Sequence, residues 1–264
     1  MKLPPLALAY HGIGSVPLRD DPHRLFASPA ALHRHVARLR SFGYRMVTAR
    51  ELALRARGGD GEGHAALTFD DGLADGLAAL LGRLGVPATL FATTGWLGAA
   101  HPDTPHGRVA DRRELRALHA AGVEIGAHTV NHPDLTRLDF ADCLAELVES
   151  RRELETIIDA PVESLAYPYG AADARVVAAA DTVGYRWAWR VAGAGSWDAP
   201  RELPRQTMLN RCSTLGLWLK RTDRYEAVVG RPLIRAARQA RLRALGHRRP
   251  HPRPVEPARS RRAA

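Results

Sequence analysis

The chain has 264 residues, 45% apolar and 25% charged, which suits one sizeable α/β domain around a single core. Its net charge of +10 is uneven. From Arg231 onward eleven arginines face the single Glu256, whereas residues 1–230 carry 27 basic and 27 acidic side chains. A neutral body with a basic tail argues against a nucleic-acid-binding protein.

The two cysteines, Cys143 and Cys212, form no CxxC pair and are expected as unpaired thiols in or near the core. No stretch approaches the roughly 18 apolar residues of a membrane span. The first ten residues contain one lysine and a short apolar run broken by Pro4-Pro5, without a signal-peptide core or cleavage site. The expected location is therefore cytoplasmic.

Strand-like and helix-like segments alternate along the body, the pattern of an α/β layout. Leu6 to Tyr10 reads as a first strand, ending in His11-Gly12. Pro29 to Arg40 has helical spacing with Ser28 as N-cap, and Tyr44 to Val47 follows as a strand. Ala65 to Leu67 closes another strand. Leu73 to Leu84 is expected as a helix stopped by Gly85, and Ala88 to Ala92 as the next strand. Gly95 to Asp111 lacks periodicity and reads as a long loop of the kind that is usually functional or mobile. Beyond it come a helix from Arg112 to Ala121 with Gly122 as C-cap, a strand from Val123 to Ala127, and a helix from Phe140 to Ile158 capped by Asp139. Ser164 to Ala166, Ala174 to Ala180 and Trp187 to Val191 follow as strand, helix and strand, and Gly193 to Glu202 as a second loop. About seven β/α units emerge, which suits an irregular, incompletely closed (β/α) barrel.

Two motifs at strand ends carry chemistry. Thr68-Phe69-Asp70-Asp71-Gly72 follows one strand, and His128-Thr129-Val130-Asn131-His132 follows another. Successive residues leaving a strand point to opposite sides, so Asp70 and Asp71 can take different jobs. Histidines four apart are expected on one side of a helical turn, where both can bind one metal. Two histidines and one carboxylate leave a position open on zinc, and the other carboxylate can act as general base. Each motif alone is common as surface decoration or helix capping. Their joint position at the C-terminal ends of strands is where α/β folds place their chemistry.

A third motif, Tyr167-Pro168-Tyr169-Gly170, ends the strand at Ala166. Together the three resemble the polysaccharide deacetylase family, also called NodB-homology domains or carbohydrate esterase family 4. The resemblance runs from about Leu3 to Met208 and includes Gly122 to Gly126 and Ser150 to Leu154. It implies a NodB-like barrel of (β/α)7 type and metal-dependent N-deacetylation of amino sugars in a polysaccharide or glycolipid precursor. By resemblance Asp70 is the base, Asp71, His128 and His132 hold a divalent metal, and the Tyr169 backbone N–H helps bind the oxyanion. Zinc is the default ion, with nickel or cobalt as alternatives.

The sequence departs from the family in two places. The third motif carries no arginine early on, where most members have one that orients the base, and Leu165-Ala166-Tyr167-Pro168 stands there instead. Arg205 in Leu203-Pro204-Arg205 is the first candidate replacement and Arg190 the second. The Leu-His motif that supplies the family's general acid is missing as well, since no histidine lies between Gly170 and His247. The branch acting on poly-N-acetylglucosamine takes this histidine from an N-terminal Tyr-His motif, and Tyr10-His11-Gly12 resembles it, which makes His11 the candidate acid. Trp96 and Trp197, both in loops, are candidate sugar contacts.

Two other functions stay open at this point. One is a deformylase or amidase acting on a lipid-linked or small-molecule amide, and the other is a glycan-binding pseudoenzyme. Residues 1–230 are expected as the catalytic domain and 231–264 as a basic tail. From Pro232 to Leu245 the tail has the spacing of a basic amphipathic helix suited to anionic membrane contact, and disorder is expected beyond Gly246.

Overall fold

The structure is a computed structural model that describes residues 3–220 apart from 18, 22, 105, 192–194, 210 and 211. The boundary at residue 230, the tail helix and the membrane contact expected of it lie outside the described residues.

In chain order the strands are β1 (Leu6–Tyr10), β2 (Gly12–Ile13), β3 (Phe26–Ala27), β4 (Arg45–Val47), β5 (His64–Phe69), β6 (Thr89–Ala92), β7 (Glu124–Ala127), β8 (Ser164–Ala166), β9 (Trp187–Trp189) and β10 (Gln206–Thr207). The helices are α1 (Pro29–Ser41), α2 (Ala49–Arg57), α3 (Leu77–Leu84), α4 (Arg112–Ala120), α5 (Phe140–Ile158), α6 (Ala174–Val183) and α7 (Thr214–Lys220). The main sheet runs β10-β1-β5-β6-β7-β8-β9, all parallel. β4 adds to the first half of β5, whereas β6 pairs with its second half. A parallel bridge from Trp189 to Leu203 draws the far edge back towards β10. The product is the expected α/β domain, a curled and incompletely closed barrel of NodB type. Short β2 and β3 pair separately.

The two faces of the strands bury different sets of residues, as the two-residue period requires. Leu6, Leu8, Tyr10, Leu67, Phe69, Leu90, Ile125 and Leu165 pack under α1 and α3 to α6. Ala7, Ala66, Phe91, Ala166 and Trp189 form a second cluster on the other face, closed by Leu52 and Ala53 of α2. Thr68 and Asp70 continue that inner face from Ala66. Gly126 is needed there, because a Cβ on it would come within 2.5 Å of the Phe91 ring.

Most helices start where the sequence places them. Ser28 Oγ accepts from Ala31 N–H with Pro29 in the first turn, and Asp139 caps α5. Three departures have physical causes. The helix expected from Leu73 begins only at Leu77, because Asp71, Gly72 and Gly76 all have positive φ and Leu73 bridges to Val109. α2, capped by Thr48, has no counterpart in the sequence reading, since its apolar stripe is only Ala49, Leu52 and Ala53. Gly122 sits one residue beyond the C-cap Ala121, with φ 87°. Both cysteines are free, Cys143 buried and Cys212 half-buried. Among the described residues no helix is long and apolar enough to cross a membrane.

Candidate metal-dependent active site

Asp70 leaves β5 on the inner face and is 4% exposed. Arg205, fully buried, meets it with two hydrogen bonds, from Nη1 to Oδ1 at 2.6 Å and from Nη2 to Oδ2 at 3.0 Å. Nη1 also donates to Thr68 Oγ1 at 2.9 Å, and that hydroxyl donates to the Leu8 carbonyl at 3.0 Å. The guanidinium stands 5.1 Å from the centre of the Phe91 ring. Burial alone would raise the Asp70 pKa, but the charge of Arg205, followed by His128, outweighs it and holds the carboxyl below its usual range. Of the two candidate arginines, Arg205 is the one that contacts Asp70. Arg190 does not reach Asp70 and pairs with Glu202 instead.

Asp71 has φ 67° and is followed by Gly72 at 81°, so the chain turns sharply and the second carboxylate faces away from Arg205. Its Oδ1 lies 3.4 Å from His128 Nε2 and 3.5 Å from His132 Nε2. Asp71, His128 and His132 bring one ligand atom each within 4.8 Å of one another. Two ligands at roughly 2.0–2.1 Å from a tetrahedral ion stand about 3.3 Å apart, so these separations fit a shared metal. Among the described residues Asp71 Oδ1 is buried without a hydrogen-bond partner, as an oxygen reserved for a cation would be. His128 Nδ1 lies 2.7 Å from the Ala166 carbonyl, which can only accept, so Nδ1 carries the proton and Nε2 presents its lone pair.

The electrostatics agree. Burial would raise Asp71, yet its contacts with His101 and His128 hold it well below the usual carboxylate range. Burial would lower His128, but the neighbouring Asp71 and Asp70 raise it. His132 is pushed down to about 4 by burial and by His128. The pocket favours a cation between these groups and disfavours two protonated imidazoles.

The two histidines are not on a helical turn, contrary to expectation. They flank an irregular loop in which Thr129 and His132 have φ 68° and 57°. Glu146 of α5 holds that loop by accepting from Val130 N–H, Asn131 N–H and Asn131 Nδ2 at 2.8, 2.9 and 2.7 Å. His132 N–H donates to Thr129 Oγ1 at 3.0 Å. The two histidines do come together, but through this loop and not through the helical turn that their spacing suggested.

His11, after β1, places Nε2 4.0 Å from Asp71 Oδ2 with its side chain 29% exposed, at the open side of the site. Tyr169 lies in a 3₁₀ turn over Pro168–Gly170 with φ 59°, and its ring is 4.7 Å from that of His132. Gly170 permits this turn, since its φ is positive and a Cβ there would clash with Val191. The Trp96 ring flanks His132 from another side at 5.3 Å. Trp197 is half-buried and packs edge-on against Trp189 beside the inner cluster.

The sequence reading misses His101. It is buried, with Nε2 3.1 Å from Asp71 Oδ2. It lies within the long loop read as functional, but its spacing relates it to no other ligand, so only the loop gave a signal.

A family model described as Polysaccharide deacetylase matches residues 57–188, half of the chain. The Bacillus subtilis protein YxkH is 26% identical over 190 residues, 70% of this chain and 63% of its own length. The chitooligosaccharide deacetylase of Sinorhizobium fredii is 31% identical over 119 residues, 43% of this chain and 50% of its own length. The chain thus spans less than two thirds of these curated relatives. Among solved structures, the Streptococcus pyogenes deacetylase PplD in complex with acetate has the same fold, with a TM-score of 0.70 and 20% identity over 83% of this chain and 98% of its own.

Proposed function

This chain belongs to the polysaccharide deacetylase family, and from that premise we propose that it removes the N-acetyl group from an amino sugar in a glycan or glycolipid precursor. The observation that carries the reading is the pairing of Asp71 Oδ1 with two imidazole nitrogens beside a separate, arginine-clamped Asp70. One carboxylate faces two imidazole nitrogens as a metal ligand would, and the other is held ionised by the arginine.

Asp71, His128 and His132 would hold one divalent ion, with zinc the first choice and nickel or cobalt the alternatives. When bound, such an ion lowers the pKa of a water and polarises an amide carbonyl. Asp70 takes a proton from the attacking water on a carboxylate oxygen, while Arg205 fixes the orientation of both oxygens. The Tyr169 backbone N–H donates to the carbonyl oxygen as negative charge develops there. His11 delivers a proton to the leaving nitrogen as the C–N bond breaks, so that acetate and a free amine result. Trp96 and Tyr169 offer ring surfaces to a sugar. An acid from Tyr10-His11 supports placing the chain near the poly-N-acetylglucosamine branch of the family.

The test is a comparison of acetate and formate release by zinc-reconstituted protein from chito-oligomers and from lipid-linked N-acyl amino sugars. Acetate is the expected product. Formate alone would transfer the reading to a deformylase, and binding of the glycan without either product would leave a non-catalytic module.

A further inference from the structure

His101 belongs to none of the three motifs, yet it touches the carboxylate on which the proposed metal site depends. It sits in the loop between β6 and α4, and that loop is fastened to the turn that carries Asp71. Ala100 bridges to Arg108, Val109 bridges to Leu73, and Ala110 N–H donates to the Gly72 carbonyl at 2.9 Å. The imidazole is held at both nitrogens. Asp103 N–H donates to Nδ1 at 3.1 Å, so Nδ1 must carry a lone pair. The ring proton therefore resides on Nε2, which faces Asp71 Oδ2 at 3.1 Å. The Trp96 ring stands edge-on to His101 at 5.0 Å and 72°, limiting its rotation, and also packs against His132 at 5.3 Å.

We propose that His101 is a positioning residue that makes Asp71 a one-oxygen ligand. Its Nε2–H occupies Oδ2 and leaves Oδ1, which has no hydrogen-bond partner among the described residues, directed at His128 and His132. An aspartate without such a donor can rotate and present either oxygen or both, and ordering it lowers affinity for the ion. His101 is not itself a ligand, because one nitrogen is committed to the loop and the other carries the proton given to Asp71. The same contact ties loop 97–110 to the metal site. This role rests on the reading of Asp71, His128 and His132 as the ligand set.

The experiment measures zinc affinity by competition with a chromophoric chelator, for the wild-type protein, His101→Ala and His101→Gln. His101→Ala should bind zinc about 10- to 100-fold more weakly. His101→Gln, whose amide can donate towards Oδ2, should recover most of that loss. A residue that only packs the loop would lower the melting temperature of the metal-free protein without changing zinc affinity, and that result overturns the role. X-ray absorption on the zinc-loaded wild type should count two imidazole ligands, and a count of three would overturn the role by making His101 a ligand. Should His101→Ala not fold, ¹⁵N spectra of the metal-free wild type decide: the Nε2–H tautomer is expected for His101, and the Nδ1–H tautomer contradicts the assignment. A wild-type protein that binds no zinc refutes the ligand set itself, which is a failure distinguishable from a change confined to the variants.

Discussion

Arg205 and Asp70 stand 135 residues apart in sequence and meet through two parallel hydrogen bonds of 2.6 and 3.0 Å inside the barrel. Arg205 precedes the edge strand β10, whose partner β1 lies between it and β5. The guanidinium is fully buried and also meets Thr68 Oγ1 and the Phe91 ring. The segment before β10 thus supplies Asp70 with a charged, two-pronged donor that the third motif of this chain lacks. What matters is the fork of donors on the carboxylate, whichever segment supplies it.

Removal of Arg205 should shift the pH dependence in a definite direction. Asp70 is held below its ordinary pKa, so this pair contributes stability above the unfolded carboxylate value of about 4 and loses it as pH falls through the lower, folded value. In Arg205→Met, burial acts without the compensating charge and raises the Asp70 pKa. The acid limb of kcat/KM should then move upward by at least about one unit. Loss of one partner from a buried pair should also cost about 3–5 kcal/mol in urea unfolding at pH 7. Arg205→Lys keeps the charge but not the fork and should fall between. An acid limb unmoved in both variants would remove Arg205 from the account.

His11→Ala should separate proton delivery from metal binding. Zinc affinity should stay near that of the wild type, while turnover of an N-acetyl glycan falls by about 10² or more. An activated aryl acetate expels a phenolate that needs no proton as the C–O bond breaks, so its hydrolysis should change little. Equal losses on both substrates would show that His11 acts on something other than the leaving group.

How much of this was legible in the sequence varies with the kind of signal. β1 and the limits of α5 follow from apolar periodicity and from the Asp139 cap, and both are local. Asp70, Asp71, His128 and His132 were legible as motifs, because adjacent or nearly adjacent residues carry them. The local form of the histidine loop was not, because it is set by α5 through Glu146, a contact between segments. The contacts of Arg205 and His101 with the aspartates depend on how strands and loops meet in three dimensions. Periodicity cannot report that, and only the vacancy in the third motif pointed towards Arg205. The packing of Trp197 against Trp189 was not legible for the same reason, since loop position says nothing of it.

Glu146 offers a test of that loop. Glu146→Ala strips the acceptor from two backbone N–H groups and one side-chain amide. The variant should lose about 1–3 kcal/mol in chemical denaturation, and zinc should bind more weakly because His132 is no longer held. Wild-type zinc affinity in a destabilised Glu146→Ala protein would show that the loop shapes itself around the ion without help from α5.

The division of labour between the adjacent aspartates is the centre of the account, and one paired measurement addresses it. Zinc content and turnover are determined on the same preparations of wild type, Asp70→Asn and Asp71→Asn. The account predicts about one zinc per chain in wild type and in Asp70→Asn. Turnover in Asp70→Asn should fall by about 10² or more, as for loss of a general base, and Asp71→Asn should retain little zinc. An Asp70→Asn protein emptied of zinc beside a fully loaded Asp71→Asn protein would reverse the two roles and contradict the site as described.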